Sequence, residues 1–198
     1  METIDILVLA NLVTFYAMFL GRTVLLYKRG VKVWVIGTSA KKPLEIILEN
    51  ILFPVLIIWS VFVILTALHI KLPGILSRYL IGNERTKYVG IVLCFAGLVI
   101  FLFALISFGK AWRIGIDEKN SHELITSGMF KYSRNPIFLF MDLFFTGIML
   151  VYPNIPCIAM AVGAIIGIHL QIKREEKFLE GKFGEQYREY KKQARRYL

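Results

Sequence analysis

The sequence predicts an all-α integral membrane protein with about five transmembrane helices, and three observations support this. Its 198 residues are 57% hydrophobic and only 19% charged. The apolar residues stand in long continuous blocks, and the basic residues cluster in the gaps between them. Three blocks reach the roughly 20 residues that a spanning helix needs, namely Ile4–Leu26, Ile46–Leu68 and Tyr88–Phe108.

Two shorter apolar blocks, Ile137–Val151 and Ile155–Ile172, follow the three long ones. Only the short turn at Tyr152, Pro153 and Asn154 separates them. A turn this tight, with proline and asparagine, predicts a helical hairpin. The fifth block continues into a charged segment without a helix breaker, which predicts a C-terminal helix outside the bilayer.

The basic residues predict how the chain is oriented. Most of the 24 Lys and Arg residues lie after the first block, after the third block and in the C-terminal tail. By the positive-inside rule we expect a multi-pass protein of the cell membrane with its N-terminus outside and its C-terminus cytosolic. The net charge of +10 therefore indicates topology and contact with anionic membrane lipids, and no nucleic-acid partner is expected.

Metal and disulfide chemistry are not indicated by the motifs. Cys94 and Cys157 lie inside apolar blocks without metal-ligand spacing around them. His122 and Glu123 begin like the zinc motif HExxH, but Thr126 stands where the second histidine is required. We therefore expect no metal site.

The segment entering the fourth block, HELITSGMFKYSRNPIFLFMDL, carries the most chemical information in the chain. Asn135 and Pro136 predict a helix start, with an N-cap acceptor followed by proline at the first helical position. Such a helix start attracts carboxylate or phosphate groups, although the pair is also compatible with a plain cap. Asp142 lies about 9 Å further along the axis, where an ionisable side chain is either functional or a satisfied interhelical contact.

The tail places cations and carboxylates side by side at the membrane boundary. On a helix, one face carries His169, Lys173 and Glu176, and the adjoining face carries Gln171, Arg174 and Glu175. Because these positions follow the apolar block, we expect the loss of one charge, such as that of Glu176, to cost little stability. Beyond Gly184 the segment is interpreted as a solvated charged helix.

Two segments, HELITSGMFKYSRNP and REEKFLEGKFGEQYREY, resemble the isoprenylcysteine carboxyl methyltransferase family in their order and in the single hairpin between them. The resemblance covers roughly the C-terminal half. A more distant similarity extends to phospholipid N-methyltransferases and membrane sterol reductases. The sequence departs from the family pattern at Asn135 (histidine in the family), at Phe138 (tyrosine) and at Gln171 (arginine).

The resemblance implies methyl transfer from S-adenosylmethionine to the carboxylate of a lipid-like acceptor of the isoprenylcysteine type. The acceptor, a lipophilic small molecule or a prenylated partner, would enter from the bilayer. The implied cofactor-binding residues are His122, Glu123, Leu124, Ile125, Gly128, Tyr132, Asn135, Pro136 and Glu175. The implied catalytic residues are Arg134, Arg174 and Glu176, with either arginine able to hold a carboxylate through two hydrogen bonds.

Two other activities stay open. Methylation of a phospholipid amine, or of another small lipophilic amine, would need a base, for which Glu176, His169 and Asp142 are the candidates. An NADPH-dependent reductase of the sterol type would bind its dinucleotide at the same cytosolic opening as the methyl donor. A Rossmann-type methyltransferase is excluded because no G-x-G-x-x-G turn occurs.

We expect one membrane domain over 1–198, with three spans in 1–108 and, in 109–198, a cofactor-binding loop, the hairpin and a C-terminal catalytic helix.

Overall fold

The computed structural model describes residues 2–31, 33, 43–71, 73–80, 82–109 and 124–198, with the backbone alone at 43–53 and 77. Seven α-helices lie in these ranges: α1 (Thr3–Lys28), α2 (Pro43–Ala67), α3 (Gly74–Ser77), α4 (Glu84–Phe108), α5 (Pro136–Val151), α6 (Ile155–Phe183) and α7 (Glu185–Gln193). A 3₁₀ turn covers Gly128–Lys131. Extended segments in the described ranges meet only as isolated bridges, so the predicted all-α class is confirmed.

The apolar blocks form helices where the sequence predicts them. α1, α4 and α6 are long and apolar enough to cross a membrane. The apolar stretches Pro54–Ala67 of α2 and Pro136–Val151 of α5 are shorter. α6 runs for 29 residues, from the hairpin turn through its apolar stretch and on into the charged segment, as predicted.

The turn between α5 and α6 is fixed by a buried asparagine. The Asn154 side chain accepts a hydrogen bond from the backbone N–H of Cys157 at 3.1 Å and so caps α6. The carbonyl of Pro153 accepts from the backbone N–H of Leu80 at 2.9 Å, which ties the turn to the segment before α4. The predicted helical hairpin is confirmed. We call this end of the bundle the hairpin end.

Glycines bring α4 and α5 into backbone contact. A Cβ atom on Gly90 would lie 2.5 Å from the carbonyl oxygen of Gly147, and one on Gly147 would lie 2.6 Å from that of Gly90. Small residues at such positions allow membrane helices to pack closely. Further along the same interface, Phe101 stacks on Phe140 with ring centroids 4.5 Å apart. Phe15 of α1 packs on both rings.

A buried carboxylate closes the hairpin end. Asp5 accepts hydrogen bonds from the Tyr152 hydroxyl at 2.8 Å and from the backbone N–H of Glu2 at 2.7 Å. The ring Nε2 of His69 lies 2.8 Å from the same carboxylate. Asp5 therefore joins α1 to the end of α2 and to the hairpin turn, with its polar groups satisfied.

The contact between α4 and α5 generates the first prediction. Gly147→Ala places a methyl group against the Gly90 backbone, so the helices must move apart at a cost of about 1–3 kcal/mol. Gly163→Ala is the matched control, because nothing lies within 4 Å of an added Cβ there. Thermal unfolding in detergent should show a lower midpoint for Gly147→Ala and an unchanged or slightly higher one for Gly163→Ala. Equal midpoints for both variants would contradict the close packing.

Candidate functional site

The chemistry-bearing residues gather at the opposite end of the bundle, where α5 begins and α6 leaves its apolar stretch. We call this the basic end. Its loop is attached to the end of α4 through the backbone N–H of Met129, which donates to the Ser107 hydroxyl at 2.9 Å. Gly128 has φ +61°, and a Cβ there would collide with the Ser107 side chain. The turn therefore requires glycine at this position.

α5 begins at Pro136, as predicted, but the predicted capping role of Asn135 is wrong. The Asn135 side chain makes no cap hydrogen bond. Its amide instead donates to the carbonyl of Arg196 at 3.0 Å. The reason is that another part of the chain lies against this helix start and accepts the hydrogen bond of the Asn135 side chain.

That part is the tail segment, residues 194–198. It runs alongside the residues before α5, with Ser133 and Arg195 forming a parallel bridge. The backbone N–H of Arg134 donates to the Arg195 carbonyl at 2.8 Å. The tail segment therefore fills the space between the start of α5 and the charged part of α6.

Glu176 lies at the centre of this arrangement and is only 6% exposed. Arg134 donates to its Oε1 through Nε at 3.1 Å and Nη2 at 2.8 Å. Arg196 donates to Oε1 through Nε at 3.2 Å and to Oε2 through Nη2 at 2.7 Å. We call these three residues the Glu176 clamp. The clamp therefore brings Arg134, just before α5, into direct contact with Glu176 of α6.

Arg134 is also bound to the tail backbone. Its Nη1 donates to the carbonyls of Ala194 at 2.6 Å and Lys191 at 3.2 Å. Four hydrogen bonds thus hold the guanidinium inside the protein. Its predicted role toward a substrate stays a prediction.

Glu175 and Glu176 are neighbours in the sequence, but their pKa values are shifted in opposite directions. The apolar stretch of α6 ends at Ile172, so both lie beyond it. Burial alone would raise the pKa of Glu176, but hydrogen bonds from Arg196 and Arg134 outweigh it and hold that pKa below its usual range. Burial, with the charge of Glu176 beside it, raises the pKa of Glu175 to about 7. Glu176 is therefore a fixed anion, whereas Glu175 exchanges a proton near neutral pH.

The Glu176 carboxylate is buried and holds two guanidinium groups, which argues against the expectation that its charge matters little for stability. Arg174 lies on the exposed side of α6 and makes no ion pair with any described residue. At 100° per residue it points almost directly away from Glu176. The structure does not bring Arg174 to the Glu176 clamp.

The remaining predicted site residues lie around the loop. Leu124 and Ile125 pack against the cluster that contains Phe130. Tyr132 is exposed. His122 and Glu123 lie outside the described residues.

α7 is a packed helix, so its interpretation as a solvated one is wrong. Tyr187 and Tyr190 are 1% and 6% exposed. The Tyr190 hydroxyl donates to the carbonyl of Phe130 at 2.6 Å. Tyr187, Tyr190 and Ala194 recur at a spacing of three and four, which is the signal of one buried helix face.

The hydroxyl of Tyr197 in the tail segment lies beside the Asp142 carboxylate, close enough to interact with it. The Oδ1 of Asp142 is buried and has no hydrogen-bond partner among the described residues. An unpaired buried carboxylate oxygen is costly, so it marks a position where a ligand could bind.

No group of three or more metal-ligating side chains forms within the described residues.

One family model matches the chain. The model of the phospholipid methyltransferases covers residues 86–186, which run from the first turn of α4 to the start of α7. The match includes Arg134, Asp142 and Glu176 and ends before the tail segment. The search of the curated proteins gave no match.

The Glu176 clamp generates the second prediction. Glu176→Gln leaves two guanidinium groups without their counter-charge and should cost about 2 kcal/mol of unfolding free energy at pH 7, allowing for the partial exposure of Arg196. Because the folded pKa lies below the usual 4.5, the wild-type advantage is complete above that value and is lost as the pH falls through the folded pKa.

Glu185→Gln is the matched control, because Glu185 pairs with Arg188 at 2.9 Å on the exposed face of α7. It should cost less than about 0.5 kcal/mol. Denaturant unfolding in detergent at pH 7 and at acid pH measures both variants. A loss for Glu176→Gln no larger than that for Glu185→Gln would show that the clamp does not stabilise the basic end.

Proposed function

The chain belongs to the phospholipid methyltransferase family, and we propose that it is an S-adenosylmethionine-dependent membrane methyltransferase whose acceptor is the amine of a lipid. The family makes it a membrane methyltransferase. The proposal for the acceptor rests on the Oδ1 of Asp142, which is buried without a hydrogen-bond partner among the described residues.

The residues of the basic end fit a sulfonium cofactor. S-adenosylmethionine supplies an activated methyl group, and its positive charge and polar groups call for carboxylates and hydrogen-bond acceptors nearby. Glu175 offers a partly buried carboxylate, and Asp142 offers a carboxylate oxygen without a partner in the described part of the chain. Leu124 and Ile125 add apolar surface at the loop.

An amine acceptor needs a base, because a lipid amine carries an extra proton at neutral pH and its nitrogen lone pair must be free to attack. Of the three candidate bases, Glu176 has both oxygens bound to arginines. His169 is exposed on the outer face of α6. Asp142 has an oxygen that is bound to no described residue, and a carboxylate also attracts the ammonium group before the reaction.

The proposed roles follow from this. Asp142, oriented by the Tyr197 hydroxyl, would hold the ammonium and take its proton, and the nitrogen would then form the new bond to carbon as the carbon–sulfur bond breaks. The Glu176 clamp would fix the tail segment and with it Tyr197. Most of the rate would come from positioning in a site without bulk water.

Carboxylate methylation of an isoprenylcysteine-type acceptor is the second candidate, and two observations favour it. The paired sequence segments resemble those of the carboxyl methyltransferases. Arg174 is an exposed guanidinium close to the membrane boundary without an ion pair among the described residues. A carboxylate acceptor is already ionised at pH 7, so this reaction would need no base.

The third prediction tests the cofactor. Titration of the detergent-solubilised protein with S-adenosylhomocysteine should give saturable binding, because the product keeps every group of the cofactor except the methyl group and its charge. NADPH at the same concentrations should not bind. Saturable binding of NADPH without binding of S-adenosylhomocysteine would support the reductase alternative and refute a methyltransferase.

The fourth prediction tests the base. Asp142→Asn keeps the size of the side chain and removes its charge, and it should lower kcat/KM for an amine lipid by about tenfold or more. Tyr197→Phe removes only the orienting hydroxyl and should have a smaller effect. Thermal stability and S-adenosylhomocysteine affinity serve as controls for folding. Wild-type methyl transfer to amine lipids by Asp142→Asn would exclude Asp142 as the base.

A further inference from the structure

A cleft at the basic end is lined by lysine side chains that have no role in the proposed methyl transfer. It has a volume of about 460 Å³ and lies between α6, α7 and the tail segment. α6 contributes Lys173, Lys177 and Gly181, spaced four residues apart and therefore on one face of the helix. Lys191 and Arg196 line the other side.

The carboxylates that line the cleft are already paired. Glu176 is bound by the two arginines of its clamp. Glu180 lies 3.1 Å from the ammonium of Lys191. Lys173 and Lys177 are exposed and form no ion pair with any described residue. The cleft therefore has a net positive charge and two cations available for a ligand.

Arg196 presents part of its guanidinium to the same space. Its Nε and Nη2 donate to Glu176, while its side chain remains 39% exposed. Nη1 makes no hydrogen bond to a described residue. An anion in the cleft would thus meet ammonium groups on one side and a guanidinium edge on the other, which is a favourable set of donors for phosphate.

The position of the cleft indicates where its ligand comes from. Lys173 directly follows Ile172, the last residue of the apolar stretch of α6. Lys177 lies about 6 Å further along the helix, so both lysines follow the apolar stretch directly, where a helix that crosses the bilayer meets the lipid headgroups. At Gly181 no side chain closes the cleft, and nothing lies within 4 Å of where its Cβ would be.

We propose that this cleft binds the headgroup phosphate of an anionic phospholipid, held by Lys173, Lys177 and the free edge of Arg196. Anionic lipids are attracted to basic groups at the membrane surface, and each cation adds to that attraction. The bound lipid is separate from the methyl acceptor at Asp142. Its binding therefore requires neither cofactor nor turnover.

The test uses the full chain in a neutral detergent, with short-chain phosphatidylglycerol as the probe and isothermal titration as the measurement. Phosphatidylglycerol should bind saturably, and Lys173→Gln/Lys177→Gln should weaken binding by about tenfold or more. Arg188→Gln/Lys192→Gln is the matched control. It removes the same charge from exposed α7 residues that pair with Glu185 and Glu189, and it should bind as the wild type does.

Gly181→Gln provides a second variant that keeps every charge. It adds a side chain at the open end of the cleft without a clash at Cβ, and it should also weaken binding. Equal losses in the two charge variants, or no loss in Lys173→Gln/Lys177→Gln, would overturn the proposal. If inorganic phosphate bound as tightly as phosphatidylglycerol, the claim that the ligand is a lipid would be overturned. If S-adenosylhomocysteine displaced the lipid, the cleft would belong to the cofactor site and the proposal would fail.

Discussion

The structure of the basic end depends on one constraint, which is that a buried carboxylate must be paired. Glu176 is paired by Arg134, 42 residues earlier, and by Arg196, 20 residues later. These two bonds join the start of α5, the charged part of α6 and the tail segment. Two other contacts follow from them: the Asn135 amide meets the Arg196 carbonyl, and the Tyr197 hydroxyl reaches Asp142. The ion pairs of Glu176 also fix the geometry of the site, because the N–H donors of a guanidinium group are directional. Apolar packing alone would not impose such directions.

The sequence predicted the parts of this structure that depend on local signals. Block length and the position of Pro136 were enough to place the apolar helices and the start of α5. Asn135 and Asn154 show the limit of such signals, since each precedes a helix with an early proline. Asn154 caps its helix, whereas Asn135 binds a carbonyl 61 residues away. Likewise, the partners of Asp5 lie 64 and 147 residues distant, so no spacing within the first block could indicate them.

Each end of the bundle holds an aspartate, and the two carboxylates differ in their hydrogen-bond partners. At the hairpin end, Asp5 is enclosed by a hydroxyl, a backbone N–H and an imidazole, which suits a structural contact. At the basic end, the Oδ1 of Asp142 has no partner among the described residues, and two lysines line an open cleft. This contrast supports placing both the methyl acceptor and the bound lipid at the basic end, within or beside the segment that the family model covers.

The most direct measurement follows the methyl group itself. The protein in lipid nanodiscs would be supplied with S-adenosylmethionine radiolabelled in its methyl group, together with an amine phospholipid and an isoprenylcysteine in equal amounts. We expect the label in the amine phospholipid, and we expect it to stay on the headgroup after alkaline hydrolysis, because a carbon–nitrogen bond is stable to base. Label released by base as volatile methanol would show a methyl ester, and the acceptor would then be a carboxylate. No label in either compound would contradict transfer to both acceptors.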